Sequence, residues 1–258
     1  MAYVALGRSE ELKDIYIKGK VDPKGIHASP EALAETKRLQ EIFDKRTECL
    51  EEQKKNFWKV SYQNVRSLKC HQDDVVIDNY INSADIFALG ETWLTENESI
   101  PLLGFKDHNA NFGRGKGVSM YSKMDEINRL VVNSVKSEIF SAIHYRTVNF
   151  DAIFVYWSSG CTREETNEIL SLLKSWIIKE RPTVIMGDMN LDFSEESKVN
   201  KFFQGEGLCQ LITKSTCETG SLLDHIYTNE QLKKLGITTQ QCCSYWTDHD
   251  TISIFIPK

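Results

Sequence analysis

The stretch VIMGDMNLDF, Val184 to Phe193, opens as a buried strand and is interrupted by Asp188 and Asn190. In an extended chain residues i and i+2 project to one face. If the strand runs that far, the carboxylate and the amide point together at whatever lies beyond its end. Paired polar groups at the mouth of an apolar strand form a turn or a site, and this stretch alone fits both. Other apolar runs end in the same way. Asn64 closes WKVSYQN, Glu91 closes DIFALGE, and Tyr156 lies near the end of AIFVYW. Asp224 and His225 lie in SLLDHIY, and Asp248 with His249 directly precede TISIFI. Singly, each has an ordinary alternative: Glu91 as the cap of a turn starting at Thr92, Asp248 and Asp250 as turn residues, a histidine as a satisfied core group.

The runs around them set the fold class. From about Asn56 the sequence predicts strands at Trp58–Asn64, Asp85–Glu91, Gly117–Ser122, Glu138–His144, Ala152–Trp157, Thr183–Asp188, Leu222–Thr228 and Thr251–Ile256. Several alternate, as Ile252, Ile254 and Ile256 do, which suits sheets with one face in a core. Asp73–Asn82 and Arg163–Lys179 read as helices, the second with Ile169, Leu172, Leu173 and Trp176 on one side. Many strands with helices outside predict an α+β protein, a four-layer α/β/β/α sandwich of two packed mixed sheets.

Residues 1–55 have a different texture. Short strands are expected at Tyr3–Leu6 and Ile15–Ile17, then a loop with Pro23, Gly25 and Pro30. Ser29 is a fitting N-cap with Pro30 at the first helical position. The apolar positions Leu33, Leu39, Ile42, Phe43, Cys49 and Leu50 then mark one long amphipathic helix. The expected division is 1–55 and 56–258.

Composition narrows the function classes. No apolar run approaches the roughly 20 residues that span a bilayer, and MAYVALGRSEELKD lacks the charged start, long apolar centre and cleavage site of a secretory signal. The expectation is a soluble intracellular protein with no membrane association. Seven cysteines, an odd number without CxxC spacing, argue against a disulfide framework or a structural zinc. The net charge of −6 weighs against non-specific polyanion binding, although acidic residues gathered around a cation account for part of it.

Taken in order, YQNVRSL, DIFALGETWLT, GRGKGVSMY, FVYWSSG, PTVIMGDMNLDF, SLLDHIYTN and TDHDTISI resemble the endonuclease/exonuclease/phosphatase superfamily. They are most similar to the apurinic-type endonuclease domains of non-LTR retrotransposons, over about residues 57–258. The resemblance implies a Mg²⁺-dependent DNA endonuclease, with Mn²⁺ as an acceptable substitute, that leaves 3′-hydroxyl and 5′-phosphate ends. It assigns Glu91 as principal metal ligand, with Asn64 beside it and Asp248 as a helper. Asp188 would accept a proton from, or orient, the attacking water, and Asn190 would hold water or phosphate. His249 would hydrogen-bond a phosphate oxygen, Asp224 would set its tautomer, and Tyr156 would donate its hydroxyl to the phosphate. His225 is taken as structural. One departure is the run Trp157, Ser158, Ser159, Gly160 after Tyr156, where many relatives carry arginine or alanine and a proline-rich turn.

MAYVALGRSEELKDIYIKG and VDPKGIHASPEAL resemble the C-terminal end of Pif-type helicases, with Gly7 where that pattern has serine and Arg8 at its phosphate-contacting arginine. No GxxxxGK[ST] run is present to hold a nucleotide, so a remnant without helicase activity is expected. A helicase tail before such an endonuclease is similar to Helitron-like (Helentron) transposon proteins. This implies a transposable-element protein or a gene derived from one, a nuclear location, DNA as partner, and a helicase portion of a larger polypeptide as a further partner. Two alternatives stay open: a phosphatase or phosphodiesterase acting on a small phosphorylated or lipid substrate, and a catalytically silent binding module. The short loop Lys214–Gly220 predicts weak, salt-sensitive DNA binding.

Overall fold

The structure is a computed structural model that describes Lys37 and residues 56–123, 130–193 and 197–258. The front strands, the helicase-like segment and the 55/56 division lie outside the described residues. So does the long helix after Ser29, apart from Lys37, which is helical and exposed. The elements below belong to the compact unit Glu52–Lys258.

One six-stranded sheet is built on β1 (Phe57–Asn64), which pairs parallel with β2 (Ile86–Gly90) and antiparallel with β12 (Thr251–Pro257). Beyond β2 lie β4 (Val118–Lys123) and then β3 (Phe105–Ala110), and β11 (Thr238–Cys242) flanks β12. In the second sheet β7 (Asp151–Trp157) pairs parallel with β8 (Thr183–Asp188), and β10 (Asp224–Asn229) runs antiparallel to β8. There, β6 (Phe140–Arg146) and β5 (Leu130–Lys136) extend one side, and β9 (Leu208–Gln210) closes the other.

Alternation along the strands divides the apolar residues into three cores. Val60, Tyr62, Ile86, Ile252, Ile254 and Ile256 of the first sheet meet Phe154, Val184, Met186 and Ile226 of the second. Ile185, Ile153, Val155 and Trp157 face outward, under α3 (Arg163–Trp176) and α4 (Lys198–Gly205). Phe87, Leu89 and Tyr121 face the other way, under α1 (Gln72–Ile77) and α2 (Asn79–Asn82). This is the expected four-layer sandwich. It also explains the unbroken apolar run at Val184, Ile185 and Met186, because a central strand covered on both faces has no polar side. Each fully buried Val, Ile or Met contributes about 1.5–3 kcal/mol.

The eight strands expected from Asn56 onward are present within a few residues. Among the described residues the four unexpected ones, β3, β5, β9 and β11, are the edge strands of the two sheets. The expected helix Asp73–Asn82 is two helices. Asp78 leaves the helical region at ψ 97° and its carboxylate caps α2, accepting from Tyr80 N and Ile81 N. The helix expected at Arg163–Lys179 ends at Trp176, where Ile177 turns extended. Its N-terminus is a capping box of Thr162 with Glu165, worth about 1 kcal/mol. The six described cysteines are free thiols. No helix among the described residues is long and apolar enough to cross a membrane.

Gly187 is the backbone feature that places the site. Its φ is +154°, and a Cβ there would lie 1.9 Å from Val155 O on β7, which faces it in parallel register. Gly187→Ala is therefore expected to cost about 2–3 kcal/mol as an overpacking defect, read as a lowered urea midpoint.

Candidate active site

The site lies where strands of both sheets end. In the second sheet Tyr156 faces Asp188 across β7 and β8, and Asp188 faces Asp224 across β8 and β10. Strand register thus lines up three of the expected residues in one row. In the first sheet Asn64 ends β1, Glu91 follows β2, and His249 precedes β12. Asp188 has the parity of Val184 and Met186, so it projects into the space between the sheets.

Two hydrogen bonds join the sheets there. Asn64 Nδ2 donates to Asp188 Oδ2 at 2.7 Å and to Glu91 Oε1 at 2.9 Å, one amide bridging two carboxylates. His249 Nδ1 lies 2.8 Å from Asp224 Oδ2. That contact fixes the proton on Nδ1. Asn190 reaches the site by a different route from strand alternation. The strand stops at Asp188, and Asn190 is left-handed at φ +49°. Its backbone N–H donates to Asp188 Oδ1 at 2.8 Å, and its side-chain amide donates to Trp157 O at 2.8 Å. Glu91 also stands outside its strand, left-handed at φ +50°.

Asp188 is buried, and burial followed by the Asp224 charge pushes its pKa well above the usual carboxylate range. Burial works against the His249 imidazolium, but the Asp224 hydrogen bond, with the Asp224 and Asp188 charges, pushes its pKa up to about 10. Burial, then Glu91 and Asp188, keep the Tyr156 phenol far above its ordinary value, so it is a proton donor. That donor is committed to Gly115 O at 2.8 Å, in the glycine-rich run Gly113–Gly117, rather than pointing free toward a substrate.

Asp248 forms an ion pair with Arg66, Nη1 to Oδ2 at 2.6 Å. His225 is built into the fold, with Nε2 on Leu191 O at 3.0 Å and Nδ1 on Gln210 Nε2 at 2.7 Å. The loop before β12 is fastened by Thr247 Oγ1 to Asn64 O and by an isolated bridge between Cys217 and His249. Sequence reading missed Arg66, Gly115 and Trp93, whose indole N–H donates to Glu91 Oε2 at 3.1 Å. Trp93 had a visible signal, its position two residues after Glu91. The others act through an ion pair and a main-chain carbonyl that no side-chain pattern announces.

The donor set fits a hard divalent cation. Ligand atoms of Asp188 and Asp224 lie within 4.8 Å of each other and of His249, whose imidazolium balances one of the two charges, and Glu91 adds a third carboxylate through Asn64. Asp224 Oδ1 and Asp248 Oδ1 are buried with no hydrogen-bond partner among the described residues. Buried carboxylate oxygens in excess of positive charge call for a cation with oxygen ligands.

The sequence profile of the endonuclease/exonuclease/phosphatase family matches residues 58–249. The chain belongs to this family. Its members are, in general, metal-dependent hydrolases of phosphate esters, nucleases among them. No curated protein matches the chain. Among solved structures, the endonuclease domain of TRAS1, a telomere-specific non-LTR retrotransposon, is 15% identical, with a TM-score of 0.60 over 78% of this chain and 98% of that one. The 3′-5′ exonuclease NExo from Neisseria meningitidis is 15% identical, with a TM-score of 0.62 over 77% and 99%. An AP endonuclease from Archaeoglobus fulgidus is 16% identical, with a TM-score of 0.58 over 78% and 99%. At these identities the likeness is one of fold.

Proposed function

We propose that this family member is a Mg²⁺-dependent DNA endonuclease that leaves 3′-hydroxyl and 5′-phosphate ends. The observation that carries the reading is the pair of inter-sheet contacts, Asn64 to Asp188 and His249 to Asp224. They bring the carboxylate read as water-handling and the imidazole read as phosphate-facing to the same junction of the two sheets. Glu91 and Asn64, with Asp248 Oδ1 nearby in sequence to His249, would hold the cation. When bound, Mg²⁺ supplies charge neutralisation for the phosphodiester and its leaving oxygen.

The chain's own groups do the rest. Asp188, fixed by Asn64 and Asn190, orients the attacking water and takes its proton. His249 donates from Nε2 to a phosphate oxygen, and Asp224 keeps it charged for that purpose. Tyr156 holds the glycine-rich run against the site and can turn its hydroxyl from Gly115 O to a phosphate. The loop Lys214–Gly220 closes as a tight turn, with Gly220 N on Cys217 O and Thr216 N on Ser221 O. It offers little reach into a groove, which supports weak, salt-sensitive binding of DNA. An origin in a transposable element, a helicase partner in a longer polypeptide and a nuclear location belong to the same proposal. They rest on the resemblances of residues 1–33 and of the retrotransposon-like segments.

Plasmid nicked by the protein in Mg²⁺ is expected to be resealed by DNA ligase, which needs a 3′-hydroxyl beside a 5′-phosphate. EDTA should abolish nicking, and Mn²⁺ should restore it. Nicks that ligase cannot seal would contradict the proposed chemistry. Turnover of inositol phosphates without DNA cleavage would favour the small-substrate alternative, for which the net charge of −6 is the supporting observation.

A further inference from the structure

We propose that Trp93 is a positioning residue for the cation: its indole N–H aims the carboxylate of Glu91. The inference rests on the reading of Glu91 as the metal ligand and names what holds that ligand in place. Glu91 receives one hydrogen bond on each oxygen, Asn64 Nδ2 on Oε1 at 2.9 Å and Trp93 Nε1 on Oε2 at 3.1 Å. Two donors on the two oxygens fix the plane of the carboxylate as well as its position. Each oxygen keeps a lone pair for a cation.

The indole can serve as an aiming device because it is itself fixed. Glu91 and Trp93 are both left-handed, at φ +50° and +57°. Non-glycine residues stay in that region only where their surroundings over-determine them. Here the main chain is fastened at three successive residues. Ser67 N donates to Glu91 O at 2.9 Å, Leu68 N to Thr92 O at 3.0 Å, and Trp93 N to Lys116 O at 3.1 Å. Between them the buried Thr92 hydroxyl donates to Asn111 Oδ1 at 2.7 Å. The Arg114 guanidinium lies 5.7 Å from the indole centroid, a cation–π contact that covers the ring.

One side chain thereby links the cation ligand to the glycine-rich run Gly113–Gly117, whose Gly115 O receives the Tyr156 hydroxyl. A group that hydrogen-bonds a metal ligand typically sets 10–100-fold in metal affinity.

Trp93→Phe removes the N–H and keeps a ring beneath Arg114. Mn²⁺ binding to the substrate-free protein, measured by calorimetry, should weaken about tenfold in this variant. The Mg²⁺ concentration for half-maximal nicking should rise by about the same factor, with the rate at saturating Mg²⁺ and the melting temperature retained. Glu91→Gln provides the reference and should lose binding further.

A second measurement needs no substitution. The parent's five tryptophans give separate ¹⁵N-indole resonances, and the Trp93 signal should shift during a Mg²⁺ titration with the midpoint of binding. If Trp93→Phe binds Mn²⁺ as the parent does while Glu91→Gln does not, or if the Trp93 signal stays still as the parent binds, the positioning role is wrong and the function stands. If parent and Glu91→Gln bind Mn²⁺ alike, the reading of Glu91 fails and takes this inference with it.

Discussion

Asp188→Asn is expected to lower the rate of DNA nicking by about 10²–10⁴-fold while the metal-free variant gains stability relative to the parent as pH rises. Both carboxylate oxygens accept hydrogen bonds, Oδ1 from Asn190 N and Oδ2 from Asn64 Nδ2. An amide can accept only one of them and presents an N–H to the other donor, so the orientation that serves the attacking water is lost. Stability moves in the opposite sense. Burial and Asp224 raise the Asp188 pKa in the folded state. A raised carboxylate pKa gives stability that is complete below the unfolded value near 4 and is lost as pH rises through the folded value. The parent therefore carries a buried, repelled charge at higher pH, and the neutral variant does not. Melts in EDTA from pH 4 to pH 8 should show the variant gaining on the parent as pH rises. A parallel pair of stability curves would contradict the environment assigned to Asp188.

The second large effect concerns His249 and its carboxylate partner. His249→Ala should reduce nicking by about 10²–10³-fold, the scale for removing one donor to a developing negative charge. Asp224→Asn leaves the imidazole and an amide oxygen to accept its Nδ1–H, but withdraws the negative charge that opposes desolvation of the imidazolium. In the parent the His249 pKa is about 10, above the unfolded value of about 6.5. The stability this pair contributes is full below about 6.5 and lost as pH rises through about 10. Asp224→Asn should flatten that dependence in metal-free melts and move the alkaline limb of the pH–rate profile to lower pH by at least about one unit. The cost should fall on kcat more than on KM. An unchanged alkaline limb would remove His249 as the charged donor.

The contrast between central and edge strands explains what the sequence made legible. The strands with continuous or alternating apolar runs, such as Val184–Met186 and Ile252–Ile256, are covered on one or both faces, and burial forces apolar side chains there. At the edges that constraint relaxes. Thr238–Cys242 is TTQQC, largely exposed, and Phe105–Ala110 is FKDHNA with only its ends buried. Polar and charged residues on edges discourage pairing with other chains, and they erase the pattern by which strands are recognised.

The candidate site divides along similar lines. Asn64, Glu91, Asp188, Asp224 and His249 were legible because each is a polar residue at the end of an apolar run. Their register and contacts place them together. Asn190 was legible for an incomplete reason, since a left-handed turn delivers it and strand alternation does not. Arg66 against Asp248 and Gly115 under Tyr156 depend on loops whose paths the sequence does not dictate. The break at Asp78 was hidden because the acidic first turn of one helix and the cap of the next read as one helical run.

Nicking of supercoiled plasmid, with and without Mg²⁺, by the parent, Asp188→Ala and His249→Ala tests the central claim most directly. The account predicts relaxation by the parent in Mg²⁺, none in EDTA, and at most about a hundredth of the parent rate from either variant. Equal nicking by all three proteins would contradict it.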